Sequence, residues 1–490
     1  MATSVATSVV LQKRAGLSHW MHEVLTQCDR ASASLSSDPV HDLRTSLRRC
    51  RSLADGIMVF DPHPAWKKMK RAGKQLFSSL GELRDTHVLQ EWVEKLSPEG
   101  YSAGKILSEF LAHRELSLKA AAITALQQFD RKQWKGWATE LPNRATKIPA
   151  DGPAFTHLAL ERWQQAYALH RRALRNRSNI SFHQLRIGIK RFRYTVENFL
   201  PRLHALWGQD LKELQDLLGD VHDLDVLWET ATRIKAFPDS AAHSEWRTRI
   251  QQKKQHCLDA YRGKMLGRHS LWQMWRTELP RADELRPLGL DRFQIRASFL
   301  DADVAHAKHV GKLALELYDG LPTDGVLRGP KRDEYRYILQ LAALLHDIGR
   351  SRTNRGHHKA SARLIRKLTP PPGWTAEEIR IAALVARYHR GALPAEAQKS
   401  FASLAQSKQQ LVKLLAGTLR FACACDREHD AQIQRIEVEP SNPVLMIRAE
   451  GYKESSPLSE HLAAARHLLE RTYGQPVFVS PMHSHKINVA

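Results

Sequence analysis

His41-Asp-Leu-Arg44-Thr-Ser-Leu-Arg48-Arg49-Cys-Arg51 returns 142 residues later as His183-Gln-Leu-Arg186-Ile-Gly-Ile-Lys190-Arg191-Phe-Arg193. Both stretches read H-x-L-R-x-x-[LI]-[RK]-R-x-R. A second pair follows in the same order. Leu80-Gly81-Glu-Leu-Arg-Asp85-Thr-His-Val88-Leu89 returns as Leu218-Gly219-Asp-Val-His-Asp223-Leu-Asp-Val226-Leu227, 138 residues on. Two motifs in one order at nearly one offset mark an internal duplication. Apolar residues nearby recur at three and four, as in Leu211, Leu214, Leu217, Leu218 and Val221, which is helical periodicity. The first two thirds of the chain are therefore expected to be two related helical bundles packed with pseudo-two-fold symmetry.

On a helix, His41, Arg44, Arg48 and Arg51 share one face, and so do His183, Arg186, Lys190 and Arg193. Leu43, Leu47 and Cys50 form a separate apolar stripe, matched by Leu185, Ile189 and Phe192. Four such groups spread over about 15 Å repel one another unless an anion lies among them. Glu at i±4, which a solvated helix ordinarily carries, is missing. Arg outnumbers Lys, which suits forked recognition of phosphate oxygens. Lys67, Lys68, Lys70, Arg71 and Lys74 add charge after the first motif, and Arg171, Arg172, Arg175 and Arg177 before the second.

The whole chain agrees. Its 490 residues carry a net charge of +22, with 42% apolar residues. That composition excludes wholesale disorder and points to polyanionic partners. No apolar run approaches the roughly 20 residues of a membrane span. Met1–Leu11 lacks the basic start of a secretory signal. Five scattered cysteines make no disulfide framework, so a cytoplasmic protein is expected. Turn residues cluster at Leu141–Pro153, Leu279–Gly289 and Thr369–Gly373, and the chain is cut at about 150 and about 285. Short strands are expected only late, at Arg435–Val438, Val444–Ala449 and Pro476–Ser480. The fold class is mainly α.

The duplicated motifs resemble those of the conserved histidine α-helical domain, CHAD, over residues 14–275, with repeats at about 14–140 and 155–275. The resemblance implies two four-helix bundles around a basic groove that binds inorganic polyphosphate. It implies that His41, Arg44, Arg48, Arg51, His183, Arg186, Lys190 and Arg193 line the groove, extended by Lys67, Lys70, Arg71 and Lys74.

A second constellation lies further on. His306 sits in Asp-Val-Ala-His-Ala-Lys-His-Val; His346-Asp347 end an apolar helix, with Gly349 placed to cap it; His357-His358-Lys359 open the next; Tyr388-His389-Arg390 close another. Imidazoles and a carboxylate brought from several helix ends suit a di-metal hydrolase site. Ala343-Leu-Leu-His-Asp-Ile-Gly349, His357-His-Lys359 and Ala386-Arg-Tyr-His-Arg-Gly391 resemble the HD phosphohydrolases. Within them, the likeness is to the C-terminal domain of the exopolyphosphatase / guanosine pentaphosphate phosphohydrolase family, over residues 290–480. The resemblance implies His306, His346, Asp347, His358 and His389 as ligands of a divalent ion (Mn, Fe or Zn), with His346 and Asp347 catalytic. The closing acid of the family pattern is replaced by Cys423, leaving Asp426 as the surviving acid. Arg350, Arg352, Arg355, Lys359, Arg387 and Arg390 suit a phosphorylated small molecule. No counterpart of the actin-like ATPase-type domains that carry catalysis in full-length exopolyphosphatases is expected in these residues.

The expected function is polyphosphate binding with an appended HD-type module. Two readings of that module stand open: a metal-dependent phosphohydrolase, or a degenerate scaffold on a polyphosphate-granule protein, with a homodimer compatible with either. A nucleic-acid binder is the further alternative. It is disfavoured because the basic helices carry almost no aromatic residue to stack a base.

Overall fold

The computed structural model describes residues 16–97, 102–323, 327–441 and 444–482. Met1–Leu11 and residue 14 lie outside them. The chain divides into two compact units, with the boundary between Arg281 and Ala282. Among the described residues no helix is long and apolar enough to cross a membrane.

Among the described residues, the regular elements of the first unit are all helices. Its first half comprises α1 (Leu17–Ala33), α2 (Ser37–Ile57), α3 (Pro64–Ser79), α4 (Gly81–Leu96), α5 (Ser102–Gln128) and α6 (Arg131–Ala145). The second half comprises α7 (Pro153–Asn176), α8 (Asn179–Phe199), α9 (Pro201–Arg233), α10 (Ser240–Met265) and α11 (Leu271–Thr277). The halves correspond in order, six helices against five. α7 and α8 repeat α1 and α2, α10 repeats α5, and α11 repeats α6. One difference stands out: α3 and α4 are separated at Leu80, whereas their counterpart α9 runs unbroken through Leu218 and Gly219. Starts are marked as the chemistry requires. Proline occupies the first turn of α3, α7 and α9, where its missing N–H costs nothing. Asp130, Ser178 and Asp239 accept backbone N–H groups at the starts of α6, α8 and α10. Pro142 does not end a helix as its turn-rich surroundings suggested. It lies inside the last turn of α6, where Thr146 N–H still reaches its carbonyl.

The two halves join through the motif helices, with α2 packed on α8 and α4 on α9. The stripes Leu43, Leu47, Cys50 and Leu185, Ile189, Phe192 are all fully buried. Near the seam Gly56 faces Phe199, where a Cβ would stand 2.2 Å from the ring. Phe199 in turn stacks on Phe155 at 4.2 Å.

Asp61, wholly buried, ties the α2–α3 turn to α6. Its oxygens accept from Arg144 Nε and Nη2 (2.6 and 2.7 Å), Trp66 Nε1 (2.7 Å) and His63 N–H (3.0 Å). Burial alone would raise its pKa, but the bonds from Arg144, Trp66 and His63 hold the carboxyl below its ordinary value. Asp61→Ala removes the acceptor of four donors. It is expected to cost about 3–5 kcal/mol, read as a lowered denaturant midpoint. Because the folded pKa is depressed, this contribution is present at neutral pH and is lost as pH falls through the folded value.

The second unit contains α12 (Leu285–Ser298), α13 (Val304–Gly320), α14 (Arg332–Leu345), a 3-10 turn (Ile348–Ser351), α15 (His357–Ile365), α16 (Ala376–Tyr388), α17 (Lys399–Ala402) and α18 (Gln406–Cys425). These are followed by β1 (Arg435–Ser441), β2 (Val444–Glu450), α19 (Pro457–Tyr473) and β3 (Val477–Pro481). Pro287, expected in a break, sits in the first turn of α12, where helices tolerate it. The strands form one sheet in the order β1-β2-β3. β1 runs antiparallel to β2, and β3 returns parallel after α19. The core is helical: α13, α14, α16 and α19 surround α18, whose Leu411, Leu415, Leu419 and Ala422 are fully buried. α14 and α16 turn almost wholly apolar toward their C-terminal ends, so the residues just past those ends are delivered into the interior.

Candidate functional site

In the first unit, the duplicated motifs converge. Arg44 donates from Nη1 to Phe77 O at 2.8 Å and its guanidinium lies 4.1 Å from the Phe77 ring, with Arg51 at 5.0 Å from the same ring. Burial pushes Arg44 down to about 10. Lys190 is pushed down to about 7 by burial and by the neighbouring charges of Arg186, Arg48 and Arg44. The cations of α2 and α8 therefore occupy one electrostatic site. Among the described residues, the basic side chains of these two helices that form ion pairs are Arg49 and Arg193, both with Glu197. Arg44, Arg48, Arg186 and Lys190 form none there, and Arg186 Nε is buried without a hydrogen bond.

The second motif shows its purpose in the same place. A Cβ on Gly81 would stand 3.3 Å from Arg44 Nη1, and one on Gly219 4.0 Å from Arg186 Nε. Each glycine gives the arginine of its own half room beside the helix. Asp85 and Asp223, four residues on, sit among the cations. Burial raises both carboxyls, Asp223 to about 6, against the pull of Arg44 or Arg186. His183 faces His222 at 4.7 Å, and burial, with Arg186, drives His222 down to about 4. His41 is exposed at the start of α2, near Arg84 and Arg48. Arg84, Asp85, His222 and Asp223 were not singled out from sequence as groove residues, although all lie inside the second motif. Two expected groove residues form ion pairs, and the first corrects the expectation that acids at i±4 are missing: Arg193 pairs with Glu197, four residues on, and Lys70 with Asp55. Lys67, Arg71 and Lys74 are exposed along α3.

In the second unit, a pocket of about 250 Å³ is lined by His306, His346, Asp347, His357, His389 and Cys423, with Arg350, Arg390, Arg420, Arg427, His429 and His461 around them. His346 and His389 follow α14 and α16 directly. Each sets its Nδ1 2.7 Å from the carbonyl three residues back, on Ala343 and Ala386. A carbonyl accepts only, so Nδ1 carries the proton and Nε2 offers a lone pair. His306 Nδ1 lies 2.7 Å from Asp426 Oδ2, the carboxylate support usual behind a ligating imidazole. Asp426, an expected ligand, therefore stands behind His306, and its other oxygen accepts from Ala431 N–H.

His357, not His358, faces Asp347. Its Nε2 is 3.1 Å from Asp347 Oδ1 and 3.4 Å from His389 Nε2. His358 packs against Gly391 instead. Gly349 does not cap α14. It lies in the 3-10 turn, donates to Ser361 Oγ at 2.8 Å, and a Cβ there would meet His357 O at 2.2 Å. That close approach of the turn to α15 brings His357 to Asp347. Asp347 Oδ2 accepts from Arg350 Nε at 2.5 Å. Oδ1 is buried, makes no well-formed hydrogen bond, and lies 3.7 and 3.8 Å from His346 and His389 Nε2. Burial opposes its charge, yet His357, His346, His389 and Arg350 hold the carboxyl well below the usual range.

Three overlapping triads have their ligand atoms within 4.8 Å of one another: His346/His389/Cys423, His306/His346/Asp347 and Asp347/His357/His389. Tautomers fixed toward the pocket and an orphaned buried carboxylate oxygen fit a bound divalent cation. Of the expected surrounding cations, Arg350 and Arg390 line the pocket, whereas Arg352, Arg355, Lys359 and Arg387 do not. Arg420, Arg427, His429 and His461 take their place. They come from α18, the loop after it and α19, and only tertiary packing unites them.

Comparison with known families places these two sites in two different matches. Residues 17–232 match the CHAD domain. Residues 294–461 match the Ppx/GppA phosphatase, domain III. No curated protein matches the chain. The cationic cluster of α2 and α8 lies within the first match, and the pocket residues from His306 to His461 lie within the second.

Proposed function

We propose that this protein binds inorganic polyphosphate in the groove of its first unit and holds a divalent metal ion in its second, where it hydrolyses a phosphate ester or anhydride. The observation that carries the first half is the convergence of Arg44, Arg48, Arg186 and Lys190 from two copies of one motif, without ion-pair partners among the described residues. A linear run of phosphates supplies the missing counter-charge at short spacing. It needs no base-stacking surface; the ring beside these cations is Phe77 of α3, against which Arg44 and Arg51 already lie.

For the second half, His306, His346, Asp347, His357 and His389 would hold the ion. When bound, such an ion lowers the pKa of a water and neutralises a phosphoryl oxygen. Asp347 keeps a negative charge at the centre of the imidazoles. Asp426 and the carbonyls of Ala343 and Ala386 fix the rings. Arg350, Arg390, Arg420 and Arg427 present cations to a phosphorylated substrate at the mouth. The protein is proposed to act in the cytoplasm, on polyphosphate granules.

The test is a binding titration of the full-length protein with polyphosphate and with duplex DNA of matched charge. Polyphosphate is expected to bind more tightly, with affinity falling steeply as salt rises, because each neutralised phosphate releases a counterion. Comparable affinity for DNA would favour the nucleic-acid reading. Polyphosphate binding that ignores salt would sink the groove assignment.

A further inference from the structure

We infer that Cys423 is itself a metal ligand, so that the pocket is a mixed imidazole–thiolate centre selective for zinc or ferrous iron over manganese; the inference rests on the metal-binding reading of that pocket. Cys423 differs from the other cysteines in where it stands. Cys28, Cys50, Cys257 and Cys425 are buried in helix interiors. Cys425, two residues on and 1% exposed, belongs to the apolar side of α18. Cys423 lines the pocket beside His346, Asp347, His389 and Arg390.

Its Sγ and ring nitrogens of His346 and His389 lie within 4.8 Å of one another. The ligands of one tetrahedral zinc ion stand roughly 3.5 Å apart, given Zn–S near 2.3 Å and Zn–N near 2.0 Å. A side-chain movement of about 1 Å therefore closes the triad. Both imidazoles already point their lone pairs inward, because their Nδ1 protons are held by Ala343 and Ala386 carbonyls. Asp347 Oδ1, next to the same two nitrogens and without a well-formed hydrogen bond, supplies a further oxygen. Two imidazoles, one thiolate and a carboxylate form a set softer than the all-nitrogen-and-oxygen shell of a manganese site.

The experiment uses the full-length protein, stripped of metal and titrated with cobalt(II), whose spectrum reports its ligands. A near-ultraviolet sulfur-to-cobalt charge-transfer band is expected together with visible d–d bands. Cys423→Ser is expected to lose the former and keep the latter, whereas Cys425→Ser keeps both. Zinc affinity of Cys423→Ser, measured by competition with a chromophoric chelator, should drop by at least the roughly 10–100-fold lost when a supporting group at a metal site is removed. Cys423→Asp should shift preference from zinc toward manganese. Visible bands without the sulfur band in the unaltered protein would overturn the assignment of Cys423 and leave the metal-binding reading standing. Failure to bind cobalt or zinc at all would overturn that reading and the inference with it.

Discussion

Replacing Arg44, Arg48, Arg186 and Lys190 together by Glu is expected to abolish polyphosphate binding by the full-length protein, a loss on the order of 10³-fold or more, while its helix content is retained. The reasoning is local. These four side chains share one site: Arg48, Arg186 and Arg44 all act on Lys190. The apolar stripes that hold α2 and α8 in place, Leu43, Leu47, Leu185 and Ile189, are untouched. The reversal also sets new carboxylates beside Asp85 and Asp223, so a neutral Gln quadruple serves as companion. It should lose binding too, with less like-charge strain on the fold. Single variants grade the effect. Arg48→Gln should weaken binding and lower the salt slope by about one. Arg193→Gln, whose parent pairs with Glu197, should change it less. Polyphosphate binding by the quadruple Glu variant equal to that of the unaltered protein would remove the groove from consideration.

Asp347→Ala is expected to empty the second unit of metal, weakening affinity by more than about 100-fold, as read by metal analysis after dialysis. Asp347 is the acid that the imidazoles share. His357, His346 and His389 all lie within 3.8 Å of its Oδ1. Its neighbours discriminate the geometry. Asp426→Asn alters only the support of His306 and should cost roughly 10–100-fold. His357→Ala should release metal, and His358→Ala should leave occupancy unchanged. If His358→Ala empties the site and His357→Ala does not, the arrangement around Asp347 is wrong. Polyphosphate binding should persist in all of them, since the groove residues belong to the first unit.

What sequence alone could supply follows from periodicity and spacing. The duplication, the amphipathic faces of α2 and α8 and the late strands are written in local patterns, and His346-Asp347 and His389 are marked by the apolar helices that end at them. The choice between His357 and His358 is of another kind. Adjacent residues on a helix point about 100° apart, and which one faces Asp347 depends on how α15 is rotated against the 3-10 turn. That rotation is set by the contact between Gly349 and Ser361 and by the left-handed start of α15 at Gly356. Asp426 was likewise an expected ligand, yet its two oxygens face His306 Nδ1 and Ala431 N–H. Arg420 and Arg427 lie in the same stretch as Cys423 and Asp426, whereas His461 had no local signature. The break at Leu80 against the unbroken α9 was equally hidden, since both halves carry the same Leu-Gly dipeptide.

The correspondence between the halves of the first unit has a bearing on how a thread lies in it. A polyphosphate chain reads the same from either end, whereas a single strand of nucleic acid has a 5′ and a 3′ direction. In a site built from two equivalent halves, turning a directionless thread end for end gives back the same complex, whereas turning a nucleic-acid strand gives a second, distinct one. The split between α3 and α4, with its exposed Lys67, Arg71 and Lys74, is where that equivalence is broken. It makes one side of the site chemically unlike the other, a difference that the polymer itself lacks.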